Sequence, residues 1–188
     1  MVNLKMILFD IIMVLYVIIA ILIFVPPVLL SIGPYNDTIL TVSDGIHDLF
    51  TNFCHQLPWR SIFLNGIKMP VCARCTAIYL FTALGLIYFR LKGFGEKEFK
   101  MNWVLLVLLF TPTALDGLTQ MFHLRESTNL LRVIAGTPYG LGYAYIIAWS
   151  LPLIYALLGL MVSIIGKKDD DTIDGILKRI KNMVWPVI

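Results

Sequence analysis

The apolar runs constrain this chain more than any other feature of it. Positions 11–30 read IIMVLYVIIAILIFVPPVLL, without a charged side chain, and match the about 20 residues an α-helix needs to cross a hydrocarbon core. Inside lipid no water satisfies a bare amide or carbonyl, so a stretch of this kind must be helical. Composition extends the point to the whole chain. Hydrophobic residues make up 59% and charged residues 14%, with a mean hydropathy of +0.82, where a soluble domain carries about 25% charged residues. The 188 residues therefore read as one all-α integral membrane domain, with no separate soluble unit.

Four spans are predicted, at about 8–31, 71–91, 103–123 and 130–165. The last run, 130–165, exceeds one minimal span and falls short of two spans joined by a loop. Read as a single helix bent at Pro138 or Pro152 it gives four spans; divided, it would give five. Charge favours four. The connector 90–100 with Arg90, Lys92, Lys97 and Lys100, and the tail 166–188 with Lys167, Lys168, Lys178, Arg179 and Lys181, are the basic segments. The positive-inside rule assigns both to the cytoplasm, which an even count allows. Both termini are then cytoplasmic in the cell membrane, and the loop 32–70 and the turn 123–129 lie outside. The first run is expected to stay as a span and not to be cleaved as a signal peptide, because it exceeds a typical apolar signal core and Pro26-Pro27 replaces a small-residue cleavage site. Asp10 is expected to be a hydrated carboxylate at the cytoplasmic edge.

The outer loop is polar and carries the turn signals Gly33-Pro34 and Asn36-Asp37. Within it, 40–53 has the spacing of a short interfacial helix with Ile46, Leu49, Phe50 and Phe53 on one face. Asn36-Asp37-Thr38 is a glycosylation triplet of low information. In the tail, Ile173, Ile176, Leu177, Ile180, Met183 and Val184 recur at helical spacing, with Lys178, Arg179 and Lys181 on another face. That is the pattern of an amphipathic helix lying on an anionic lipid surface, so membrane lipid is the expected partner. The net charge of +3 is small and interleaved with acidic residues, and nucleic acid is not implied.

All three cysteines fall in one outer stretch, CHQLPWRSIFLNGIKMPVCARC, positions 54–75. Cys54 beside His55, followed by the Cys72-x-x-Cys75 pair, supplies three sulfurs and a nitrogen, the ligand set of tetrahedral zinc. Pro70 is placed to start the second span, which would put Cys72 and Cys75 on one helical face. Neighbouring residues rarely ligate one ion comfortably, so His123 or His47 is an alternative nitrogen donor to His55. A disulfide or thiol redox pair, and simple packing of buried thiols, are the competing accounts.

Two further polar groups sit where polarity is expensive. Asp116, Gln120 and His123 share a helical stripe in the third span, which must face other helices. Ser127 and Glu126 are placed to cap and charge-stabilise the start of the fourth span. Arg132, one turn inside it, is expected to pair with Asp116 or Glu126, or to join Arg60 and Arg74 in binding an anionic lipid or small-molecule group. With Gln120 and Asn129 these arginines make a candidate polar pocket, and Asp116 and Glu126 are its candidate general bases. Gly136, Gly140 and Gly142 read as a small-residue packing surface.

Taken together, Cys54-His55-Gln56, Arg60-Ser61, Pro70-x-Cys72-Ala73-Arg74-Cys75-Thr76, Asp116-Gly117 with Gln120, and Glu126-Ser127-Thr128-Asn129-x-x-Arg132 followed by Gly136 resemble the small prokaryotic membrane proteins grouped as domain of unknown function 2085. The resemblance covers roughly 53–142, with Ala77 where a glycine is expected. It implies that these polar blocks belong together on one side of the membrane, and brings no activity with it. Three functions follow from the residues: zinc-dependent hydrolysis at the membrane interface, thiol-disulfide exchange through Cys54, Cys72 and Cys75, and non-catalytic lipid binding or carriage. The topology is the part tested most directly. A cysteine introduced into the tail should resist an impermeant thiol reagent applied to intact cells, and labelling from outside would reverse the orientation.

Overall fold

The computed structural model describes residues 4–33, 36–94, 100–166 and 170–184. It is an all-α bundle with four segments long and apolar enough to cross a membrane. The first comprises α1 (Leu4–Leu22) and α2 (Val25–Ile32), which together make one 29-residue span. Two further spans are α4 (Ala73–Leu91) and α5 (Trp103–Met121). The fourth, α6 (Asn129–Ile165), is one 37-residue helix that runs through both Pro138 and Pro152. At 1.5 Å per residue its length of roughly 55 Å exceeds a hydrocarbon core of about 30 Å. The division that would have made five spans does not occur.

The bundle is held by close approach of α4 and α6. A Cβ placed on Gly136 would fall 2.7 Å from the Arg74 carbonyl oxygen, and one on Gly140 would fall 2.6 Å from that of Ile78. On the facing side, a Cβ on Gly85 would meet Ala144 at 2.6 Å. Lipid is as apolar as leucine, so such backbone contact, and not hydrophobic burial, is what associates helices in a membrane. Hydrogen bonds follow from it. The Thr82 hydroxyl donates to the Gly140 carbonyl at 3.1 Å, and that of Thr113 on α5 donates to the Ala135 carbonyl at 2.5 Å. Gly142 plays the same part toward α5, where Phe110 and Leu109 would obstruct a side chain.

At the end of the bundle away from the cysteines, Arg90 donates to Asp10 at 2.6 Å and 3.4 Å, joining α4 to α1. The expected free, hydrated Asp10 is corrected to a half-exposed ion pair, because the antiparallel packing of α1 and α4 sets the two residues side by side. Tyr145 ties the start of α5 to α6: its hydroxyl accepts from the Asn102 amide at 2.8 Å and donates to the Lys100 carbonyl at 2.6 Å. The amphipathic α7 (Asp170–Val184) docks here. Met183 is 1% exposed, and its carbonyl accepts from the Trp149 indole at 3.0 Å and the Met101 amide at 3.3 Å. The helix thus has a protein contact as well as the lipid-facing pattern. The tail lysines 167 and 168 and connector residues 95–99 lie outside the described residues.

The segment between the first and second spans is more ordered than a polar loop. The expected helix is present as α3 (Asp37–Thr51), with Ile46 and Phe50 buried but Leu49 and Phe53 exposed. Asn36 is its N-cap and accepts from the Ile39 amide at 2.9 Å, which is a sufficient role for that side chain. A short 3-10 turn (Pro58–Arg60) then leads into an antiparallel hairpin, β1 (Ser61–Leu64) and β2 (Ile67–Cys72). Asn65 and Gly66 turn it with φ of 50° and 80°, the left-handed pair that a two-residue hairpin requires. The hairpin was not expected, although Asn-Gly between apolar residues signals one.

The α4–α6 contact can be tested by volume. Gly140→Ala should lower stability in detergent by about 1–3 kcal/mol, the usual cost of overpacking. Gly159→Ala, on the same helix with nothing within 4 Å, should be neutral or mildly stabilising. Equal thermal melts for the two would remove the contact from its central role.

Candidate metal centre and arginine pocket

The hairpin decides where the cysteines sit. Ser61 pairs with Cys72 across the ladder, so Cys72 ends a strand in extended conformation and serves as the N-cap of α4. Cys75 follows in the first helical turn. The expectation that both lie on one helical face is corrected accordingly: the strand-to-helix corner, and not helical periodicity, brings their sulfurs together. Cys54 arrives from the end of α3, its amide donating to the Phe50 carbonyl at 2.9 Å. Gln56, at φ 49°, holds the loop, donating through Nε2 to the His47 carbonyl at 2.6 Å, while Lys68 of β2 donates to the Gln56 carbonyl at 3.0 Å.

The three Sγ atoms lie within 4.8 Å of one another, and the thiols are free. Cys54 and Cys72 are buried with Ile23, Ile46, Phe50, Met69 and Val71 in a small apolar core. Burying Phe50 or Val71 there contributes about 1.5–3 kcal/mol each, which fixes the thiols without any bond between them. Cys54 Sγ accepts from the Cys72 amide at 3.1 Å. The thiols of Cys72 and then Cys75, hydrogen-bonded to Cys54, pull its pKa well below the ordinary thiol value against the opposing effect of burial. The hydrogen bonds that Cys54 Sγ accepts favour its thiolate, the form that binds metal.

No histidine joins these sulfurs among the described residues. The His55 ring accepts from the Leu57 amide at 3.4 Å, the His47 ring meets the Ser43 carbonyl, and His123, at φ 54°, lies beyond the end of α5 and is exposed. His123 also leaves the polar stripe, because α5 ends at Met121, two residues short of it.

Beside the thiols lies a second cluster. Asp116, 3% exposed, is clamped on both oxygens. Arg74 and Gln120 donate to Oδ2, the latter at 3.0 Å, and Arg125 donates to Oδ1 at 3.1 Å. The partner expected of Arg132 is therefore taken. Arg132, also 3% exposed, donates instead to Asn129 Oδ1 at 2.8 Å and Gln120 Oε1 at 3.3 Å. Asn129 in turn donates to the Ser61 carbonyl at 3.0 Å, tying the start of α6 to the hairpin. Glu126 is exposed in the turn, and the cap of α6 is Thr128, which accepts from the Leu131 amide, in place of Ser127. Arg125 is the contributor that the sequence assigned to the turn and not to the pocket.

The comparisons with known proteins agree with this architecture. An uncharacterized protein of Methanocaldococcus jannaschii is 36% identical over 118 residues, 62% of this chain and 73% of the relative. An uncharacterized protein of Methanothermobacter thermautotrophicus is 40% identical over 95 residues, 50% of this chain and 84% of the relative. The signature of a family described as predicted membrane protein, DUF2085, matches residues 54–146. The chain belongs to that family. The DUF2085 match starts at Cys54 and takes in both clusters, the hairpin and the α4–α6 contact. No solved structure matches the chain.

The clamp makes a prediction about Asp116. Asp116→Asn removes the charge that two guanidiniums share and should destabilise the protein by roughly 1–3 kcal/mol. Arg125→Gln should cost less, because that side chain is 44% exposed and water can replace it. Denaturant titration in detergent micelles compares them, and an equal or reversed order would contradict the assignment of Asp116 as the shared anchor.

Proposed function

We propose that this is a membrane protein with a zinc centre held by Cys54, Cys72 and Cys75 at the extracytoplasmic end of its bundle. The convergence of three sulfurs from three separate elements supports it. A disulfide uses two sulfurs and strands the third, whereas a tetrahedral soft cation uses all three at about 2.3 Å each. The amide and thiol hydrogen bonds to Cys54 stabilise the thiolate that such an ion needs. The outward orientation rests on the basic connector and tail.

Three protein ligands leave one position for water or an external donor, and zinc supplies a Lewis acid there. The residues around the thiols hold and position more than they exchange protons. Both oxygens of Asp116 accept from guanidiniums, which disfavours its acting as a base, and Glu126 stands exposed in the turn. The geometry therefore supports a binding centre ahead of a hydrolytic one. In that role the ion joins the end of α3, the hairpin and the first turn of α4.

Metal analysis of protein purified under reducing conditions, with a parallel free-thiol count, tests this reading. Wild type should carry about one zinc per chain for a single tetrahedral site. Each of Cys54→Ser, Cys72→Ser and Cys75→Ser should lose most of it, and His55→Ala should keep it. Negligible metal with a disulfide in the oxidised protein would transfer the site to thiol exchange. Negligible metal with three free thiols would end both readings.

A further inference from the structure

We propose that Arg60, Arg74 and Arg132 form a receptor for a phosphate group at the cysteine end of the bundle. The argument begins from charge. Four guanidiniums, those of Arg60, Arg74, Arg125 and Arg132, gather where Asp116 is the one buried carboxylate among the described residues. Arg125 and part of Arg74 are used on Asp116. Arg132 is 3% exposed, and among the described residues its guanidinium donates only to the neutral amide oxygens of Asn129 and Gln120. The charges of Arg60 and Arg74 oppose its own, and that of Asp116, already shared by Arg74 and Arg125, offsets them in part. A buried cation with neutral partners and like-charged neighbours is a costly arrangement unless an anion completes it.

Unused donors point the same way. The Nε atoms of Arg60 and Arg74 are buried and have no hydrogen-bond partner among the described residues. Among the described residues no carboxylate lies within ion-pair distance of Arg60 or Arg132. Guanidiniums present planar forks that match phosphoryl oxygens in pairs. Three such forks offer more donors than one carboxylate ligand can accept, and a phosphate offers more oxygens and more charge. Even a zinc ion on three thiolates, with one net negative charge, would leave this cluster in surplus.

The fold builds the site deliberately. Arg60 immediately precedes Ser61, the ladder partner of Cys72, and Arg74 follows two residues after Cys72. The Asn129 to Ser61 bond then draws the first turn of α6, with Arg132, toward that pair. Two helix starts, those of α4 and α6, add their positive ends. Phe122, Leu124 and Leu130 stand exposed around the adjoining turn, at 63%, 74% and 69%, an apolar rim suited to the lipid interface. A phosphate can reach this position on a lipid headgroup or as a free ion.

The test uses the whole protein in a phosphate-free maltoside detergent, and it reads phosphate binding, so it stands apart from the metal reading. Inorganic phosphate is titrated by calorimetry, and phosphatidylglycerol is added in native mass spectrometry beside a phosphate-free glycolipid. Arg60→Gln and Arg132→Gln should each weaken binding about tenfold or more, as loss of a charge-assisted bond does. Arg90→Gln, at the opposite end, should leave it unchanged. Among the described residues the Arg60 side chain has no ion pair and its Nε no hydrogen-bond partner, so its variant reports on binding even where Arg132→Gln fails to fold. Saturable phosphatidylglycerol binding with this sensitivity assigns the site to a headgroup, and the same sensitivity for inorganic phosphate alone assigns it to the free ion. Binding of neither, or binding that ignores Arg60→Gln, overturns the proposal.

Discussion

The backbone contact between α4 and α6 is what the remaining structure depends on. Gly136 and Gly140 let the two helices approach until a methyl group would collide with a carbonyl oxygen. Because lipid supplies little hydrophobic drive between helices, dispersion and a few hydrogen bonds must hold the bundle, and both fall away steeply with distance. Gly136 faces Arg74, so the same contact that packs the helices also sets the first turn of α4 against the second turn of α6. The thiols on one side and the guanidiniums on the other inherit their positions from it.

The hairpin is the second constraint, and it acts through register. By pairing Ser61 with Cys72 it places Arg60 next to the start of α4 and turns Cys72 out of the helix into an N-cap. One residue of slip would send each side chain of the ladder to the opposite face. The irregularity between Ser61 and Phe63 and the left-handed Asn65-Gly66 turn fix that register. A small ladder of this kind is marginal alone, and here it is supported by Met69 and Val71, which are buried against Ile23 and Phe50. The centre therefore combines soluble-protein packing in the segment between the first two spans with membrane-type packing in the bundle.

Charge is sorted along the bundle in a way that both constraints permit. Asp10 and Arg90 pair at one end, while Asp116 gathers Arg74 and Arg125 at the other. Each carboxylate sits where a guanidinium from a neighbouring helix or the turn reaches it, as a polar group near lipid requires. Among the described residues Arg132 is the exception that meets side-chain amides alone, and this makes the cysteine end of the bundle unusual electrostatically.

The sequence by itself determined the class and the composition of the polar end, and left 130–165 open between one helix and two. Runs such as 11–30 admit only a helix in lipid, and the spacing of Gly136 and Gly140 marks a packing face. Cys54, Cys72 and Cys75 stand out by the spacing of a metal-ligand set, and Asp116 and Arg132 because a charge is expensive where the hydropathy places them. Tertiary structure alone decided who meets whom. Helical periodicity assigns residues to faces within one element, but it cannot say that a strand ends at Cys72, that α5 stops before His123, or that Arg125 reaches across the turn to take Asp116. Those outcomes depend on close approach between elements distant in the chain, where a difference of an ångström settles which hydrogen bond forms.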